Sequence, residues 1–167
     1  TTQDDYIVIH ASAKYIGRRW AIERYRDVAQ LILNNNYVSK VFLIGGKEDI
    51  EQYATISSGN IINLAGRQSL AETQQLLKKA KFFLGNDSGP MHIASFSEIP
   101  LFSLMGPNLP VISGSNSSLG YNFFHKQDCS PCNQKECQFN YKCINSISVD
   151  EVFNKFKRSF EAYYGKN

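Results

Sequence analysis

The 167 residues suffice for one domain with a hydrophobic core and fall short of two ordinary ones. With 43% hydrophobic and 20% charged residues the composition is that of a soluble globular protein, and no run of about 18 apolar residues offers a membrane span. A net charge of +3 is too small to argue for nucleic acid as a partner and suits a modest anionic ligand or an acidic surface equally well.

Residues 1–5 lack a basic region, an apolar stretch and a cleavage site in series. They read as a cut in a linker and not as a signal peptide, which makes the cytoplasm the expected compartment. Residues 6–10 then form a β-branched apolar run. Over residues 21–33 the spacing places Ile22, Tyr25, Val28, Ala29 and Ile32 on one helical face. Residues 41–44 read as a buried strand closed by Gly45 and Gly46, followed by a helix over about 48–56 and a short strand at 61–62. Ser69 and Glu72 have the spacing of a capping box ahead of Leu76, Leu77 and Ala80.

Residues 82–84 are another short apolar run, ended by Asn86 and Asp87. Asp87 or Ser88 is placed to cap the next helix, Gly89 lets a ligand approach the backbone, and Pro90 suits the first helical position. A helix start with free N–H groups and the positive end of a dipole suits a phosphate. A strand at 101–104 closes at Met105, Gly106 and Pro107, and residues 108–120 read as a long loop. Residues 122–143 hold the four cysteines with little periodicity. Ser148 and Glu151 offer a second capping box before a helix over about 149–164, whose Val152, Phe153, Phe156, Phe160 and Tyr163 read as core. No internal repeat is evident.

Strands that read apolar on both faces, separated by one helix each, imply a doubly wound parallel sheet. The expected fold is therefore a Rossmann-like α/β domain spanning residues 1–167. In such a sheet ligands lie outside the carboxyl ends of the strands. That rule selects the loops carrying Lys14, Arg18, Arg19, Glu48, Asp49, Arg67, Asp87, Ser88 and His92. Cations and a helix start for phosphates, with carboxylates for hydroxyls, fit a nucleotide carrying a sugar. Plainer roles compete. Asp87 or Ser88 serves equally as a helix cap, His92 as a core histidine, Arg18 and Arg19 as a solvated face, and Glu48 and Asp49 as complements to a helix dipole. His10 and His125 read as structural.

The spacing Cys129-x2-Cys132-x4-Cys137-x5-Cys143 approaches that of a metal site, and four thiolates suit zinc in tetrahedral geometry. A reducing compartment disfavours disulfides. A structural zinc, disulfides formed in air and free thiols all stay open, and none makes the cluster catalytic.

The run Asn86-Asp87-Ser88-Gly89-Pro90-Met91-His92-Ile93-Ala94, with Ile99-Pro100 and Met105-Gly106-Pro107 after it, resembles the signature of the heptosyltransferase family, glycosyltransferase family nine. Ile9-His10-Ala11-Ser12-Ala13 and Arg18-Arg19-Trp20 resemble the first strand and basic helix entry of its donor half. Leu64-Ala65-Gly66 and the cysteine segment also agree in order. The resemblance implies a GT-B architecture of two Rossmann-like domains facing across a cleft, of which this chain matches the C-terminal one. It implies that this half binds a nucleotide-sugar donor, commonly ADP-heptose. The N-terminal half would hold the acceptor, typically lipopolysaccharide core or a lipid A-type molecule, and the catalytic base. Transfer would be inverting and metal-independent and need no cofactor, in the cytoplasm or at the periphery of the inner membrane.

Carried over by position, Asp87, Ser88, Gly89 and His92 match donor-binding residues, and Ser12 joins them from the first turn. Arg18 stands where a lysine contacts the donor phosphates, keeping the charge and adding a planar fork. Either Glu48 or Asp49 takes the ribose position. Two other classes remain beside this one: a nucleotide-binding module without transfer activity, and a zinc-organised interaction domain.

Overall fold

The computed structural model describes residues 5–133 and 136–165, so most of the stretch read as a linker cut lies outside it. Among these residues β1 (Tyr6–His10), β2 (Lys40–Leu43), β3 (Ile61–Asn63), β4 (Phe82–Asn86), β5 (Leu101–Met105) and β6 (Gly120–Phe124) form one sheet in the order β3-β2-β1-β4-β5-β6. Every pairing is parallel. This is the Rossmann strand order, reached by winding outward from β1 in one direction and then from β4 in the other.

Side-chain alternation along the strands feeds two cores. Ile7, Ile9, Phe82 and Leu84 point to one face, under α1 (Ile22–Asn34) and α7 (Val149–Tyr164). Val8 and Phe83 point to the other, where they meet Leu77 of α3 (Leu70–Lys79) and Met91 and Ala94 of α4 (Gly89–Ser95). Covering both faces is what a parallel sheet requires, and it explains why these strands read as continuous apolar runs.

The helices follow their sequence signals closely. The five residues placed on one face of α1 are its buried ones. The box before α3 is complete: Glu72 N–H donates to Ser69 Oγ at 3.2 Å, and Ser69 N–H donates to Glu72 Oε2 at 2.8 Å. The one before α7 is half made. Glu151 N–H donates to Ser148 Oγ at 3.1 Å, but the Glu151 carboxylate lies 3.0 Å from His125 Nε2 instead of turning back. His125 is thereby a tie between the chain after β6 and α7. Along α7, Val152, Phe156 and Phe160 are buried, whereas Tyr163 at the far end is 48% exposed. The Phe156 ring meets Phe82 and Tyr37 edge-on, with centroids 4.9 and 5.4 Å apart.

Two segments differ from expectation. The helix expected over 48–56 opens as a tight 3-10 turn at Lys47–Asp49 and runs on as a short α2 (Ile50–Ala54). The region read as loop and as unpatterned contains α5 (Pro110–Ser113), β6 and α6 (Lys142–Asn145). β6 is the sheet's edge, so Phe123 is its one buried residue, and such a strand leaves almost no apolar pattern to find. Glycine is demanded at two turns. Gly66 takes φ +68°, and a side chain on Gly106 would collide with the carbonyl oxygen of Gly17, so the loops after β1 and β5 touch backbone to backbone.

Phe156 is the central contact of α7 with the sheet. Phe156→Ala is expected to lower stability by about 3–5 kcal/mol in urea unfolding. A loss under about 1 kcal/mol would show that α7 is not what seals this face.

Candidate ligand-binding cleft

β1 and β4 are neighbours whose following connections depart to opposite faces of the sheet, so a crevice opens at their carboxyl ends. The loop after β1 is pinned across it. Asn86, the last residue of β4, accepts through Oδ1 from Trp20 N–H at 3.1 Å and from the Tyr25 hydroxyl at 2.7 Å. Burial raises the Tyr25 hydroxyl well above its ordinary pKa, so it stays protonated and donates. Ala11 N–H donates to the Tyr53 hydroxyl at 3.0 Å, which fixes the loop's other end to α2.

A cleft of about 610 Å³ occupies this crevice. Its walls come from the loop after β1 (Ser12, Lys14 and Arg19), the turn after β2 (Glu48 and Asp49), Gln68 beyond β3, and Ser88 and Gly89 after β4. Four strand ends thus contribute polar groups to one space. Arg19 is braced, its Nε donating to Ala13 O at 2.7 Å.

The geometry separates Glu48 from Asp49. Asp49 is 4% exposed and accepts from Gly46 N–H through Oδ2 at 2.9 Å, which spends it on holding the turn. Glu48 is exposed beside it on the cleft wall. Ser12, Ser88 and Gly89 also line the cleft, and a Cβ on Gly89 would meet nothing within 4 Å. The backbone there is open to whatever enters. Helix α4, which begins at Gly89, has seven residues, so its dipole adds little and the attraction for an anion rests on Lys14 and Arg19.

Arg18, Asp87 and His92 are not part of the cleft lining. Asp87 is 3% exposed and faces the loop after β5. Its Oδ2 accepts from Ser113 Oγ at 2.8 Å and Asn108 Nδ2 at 3.1 Å, and lies 3.5 Å from Arg18 Nη1. His92 sits exposed on α4.

His10, read from sequence as structural, lies on the cleft wall. It ends β1, is 6% exposed, and its Nδ1 is 3.0 Å from Ser88 Oγ. Burial pushes its pKa down to about 4, against the pull of Asp49 and Glu48. The sequence signal for it was position alone, because a histidine closing the first strand stands at the switch point one residue before the loop begins. Gln68 carried no comparable signal. Its Oε1 is buried without a hydrogen-bond partner among the described residues.

The family model of glycosyltransferase family 9 (heptosyltransferase) matches residues 1–142. The chain belongs to this family. It is 26% identical over 150 residues to lipooligosaccharide heptosyltransferase 2 of Campylobacter jejuni, a match covering 84% of this chain and 46% of that protein. Among solved structures it superposes on ADP-heptose lipopolysaccharide heptosyltransferase II of Escherichia coli with a TM-score of 0.83 at 20% identity, covering 98% of this chain and 49% of that one. The family 9 glycosyl transferase of Veillonella parvula gives 0.84 at 22% identity, covering 97% and 48%. Both share the fold. The chain spans a little under half the length of each of these three relatives.

In this family 9 chain the cysteines stand apart from the cleft. All four open onto a second cavity of about 230 Å³ behind Gly17 and Pro107, and all four are thiols. Cys137 Sγ accepts from Tyr141 N–H at 3.2 Å, and burial pushes the Cys143 thiol up in pKa, with Cys137, Cys132 and Cys129 adding to the effect. Among the described residues no group of three or more His, Cys, Asp or Glu is gathered closely enough to hold a metal ion. Cys137 thereby meets the backbone of Tyr141, whose ring lies 3.4 Å from where a Gly17 side chain would begin.

Because His10 is neutral when folded and titrates near 6.5 when unfolded, the unfolded chain takes up its proton first as pH falls. Its contribution is therefore complete above pH 6.5 and lost between 6.5 and about 4, to a total of about 3 kcal/mol. Urea unfolding across that range should show the slope, and His10→Gln should remove this component of it. A His10 imidazole titrating above pH 6 by NMR would contradict the burial argument.

Proposed function

We propose that this chain is the donor-binding half of an inverting, metal-independent glycosyltransferase, holding ADP-heptose in the cleft at the β1/β4 edge. The complete protein would act in lipopolysaccharide core biosynthesis. The observation that carries the proposal is the cleft's composition at the switch point: two cations, Lys14 and Arg19, share it with an exposed carboxylate, Glu48, and an open backbone at Gly89. A diphosphate matches the cations, and a ribose with vicinal hydroxyls matches the carboxylate. Ser12 supplies a hydroxyl donor to a phosphate oxygen, and Ser88 stands on the same wall beside His10. Asp87 stands outside the cleft lining: its three partners converge on Oδ2, and Arg18 and Asn108 hold the carboxylate against the loop after β5.

The names of the relatives support heptose transfer, and the shared length supports assigning this chain one half of the task. An inverting transfer needs a base within about 3 Å of the acceptor hydroxyl. Asp49 and Asp87 are both committed to internal partners. With Glu48 assigned to the ribose, the base and the acceptor site, for lipopolysaccharide core or a lipid A-type molecule, are assigned to the other half, as the family resemblance implies. Among the described residues no helix is long and apolar enough to cross a membrane. The enzyme would work in the cytoplasm, reaching its acceptor at the inner-membrane surface. Family membership and the cleft together favour transfer over a nucleotide-binding module without activity, and the cysteine cavity shares no lining residue with the cleft.

ADP and ADP-sugars should bind this chain in calorimetry. Lys14→Ala combined with Arg19→Ala should weaken ADP at least tenfold, and added salt should weaken it in the wild type. Absence of binding by any nucleoside diphosphate or nucleotide-sugar at millimolar concentration would overturn the donor assignment. A second expectation concerns activity: the 167 residues should not transfer sugar, whereas joining them to an acceptor-binding half should restore transfer. Turnover on a lipid A-type acceptor by this chain unaided would place the base among its own residues.

A further inference from the structure

The two ring nitrogens of His10 have different surroundings. Nδ1 lies 3.0 Å from Ser88 Oγ. Nε2 has no hydrogen-bond partner among the described residues and is not one of the sealed, unpartnered polar atoms, so it keeps contact with the cleft that His10 lines. The Ser88 hydroxyl has one proton and two acceptors in reach, His10 Nδ1 at 3.0 Å and Asn86 O at 3.2 Å. Its choice sets the tautomer. When the hydroxyl turns to Asn86 O, the imidazole proton sits on Nδ1, which donates to Ser88 Oγ, and Nε2 shows the cleft a lone pair. When it turns to Nδ1, the proton sits on Nε2 and the cleft sees a donor.

An anion drawn in by Lys14 and Arg19 is repelled by the lone pair and attracted by the N–H, so it selects the second arrangement. We propose that His10 is a phosphate-contacting residue whose Nε2–H donates to a diphosphate oxygen while Nδ1 accepts from the Ser88 hydroxyl, ligand binding thereby choosing the tautomer. The inference rests on the donor assignment above and adds to it a contact and a switch. The charged groups acting on the ring are Glu48 and Asp49 from the turn after β2, while Lys14 and Arg19 from the loop after β1 line the same cleft. Burial keeps the ring uncharged down to about pH 4, so it adds a hydrogen bond without placing a third cation beside the two already there.

The test uses the 167-residue chain with ¹⁵N-labelled histidine and two probes, inorganic pyrophosphate and ADP. Saturation with either should move Nε2 to the shift of a protonated ring nitrogen and Nδ1 to that of an unprotonated one. His10→Gln, whose amide nitrogen reaches the Nε2 position, should keep affinity within about threefold, while His10→Asn, which reaches only the Nδ1 position, should lose about tenfold. A merely structural histidine would not reverse tautomer with ligand, and this measurement on the wild type stands even where a variant fails to fold. Protonated Nδ1 in the complex, or Asn keeping the affinity that Gln loses, overturns the proposal. Pyrophosphate and ADP binding equally to wild type and both variants removes His10 from the contact and leaves the donor assignment intact. No binding of either probe to wild type at millimolar concentration removes both.

Discussion

The side-chain oxygen of Asn86 is the point on which this edge of the sheet depends. A backbone N–H and a phenol, from two consecutive stretches of chain, both terminate on it. The N–H of Trp20 can only donate, which fixes the amide's orientation and leaves Nδ2 buried without a partner among the described residues. That orphan costs something of order 1–3 kcal/mol. The structure accepts the cost because the same bond brings Trp20 into place, and the indole N–H then donates to Ile147 O at 2.8 Å, joined there by Arg24 at the same distance. One amide therefore ties β4, the loop after β1, α1 and the approach to α7 together. The knot fixes the far end of the loop whose Ser12, Lys14 and Arg19 wall the cleft.

Charge is divided in a way that residue types alone do not reveal. Three cations follow β1 within six positions, yet they have separate tasks. Lys14 and Arg19 open onto the cleft, whereas Arg18 turns to Asp87 and the loop after β5. The separation follows from the 3-10 turn at Ile16–Arg18, which points successive side chains about a third of a turn apart. The backbone contact between Gly17 and Gly106 brings the loops after β1 and β5 together, and Ser113 at the end of α5 completes the Asp87 cluster.

Most of the fold was legible because parallel strands buried on both faces announce themselves as apolar runs, as at residues 82–84, and because the apolar period of α1 named its five buried residues. β6 was not legible, since an edge strand with Phe123 as its one buried residue lacks that pattern. The cleft was legible as a set of loops, and less so as a set of residues. Sequence spacing could not divide Glu48 from Asp49, which differ only in which one turns back to Gly46 N–H. Nor could it tell that His10, inside a strand, would face ligand space while His92, inside the signature run, would sit exposed on the outside of α4. Those distinctions depend on the direction of a side chain in three dimensions, which residue type and spacing do not encode.

The packing of α7 over the sheet bears on how the chain folds as it is made. β1 lies at the centre of the sheet but cannot complete its pairing until β4, more than seventy residues later, has been synthesised. Even then Phe82 and Phe102 lie under a face that Phe156, near the end of the chain, closes. The match to the family model ends at residue 142, ahead of that helix. The segment that carries family identity is thus shorter than the unit able to bury its own core, and a chain stopped between the two would expose an aromatic sheet face to its neighbours on the ribosome.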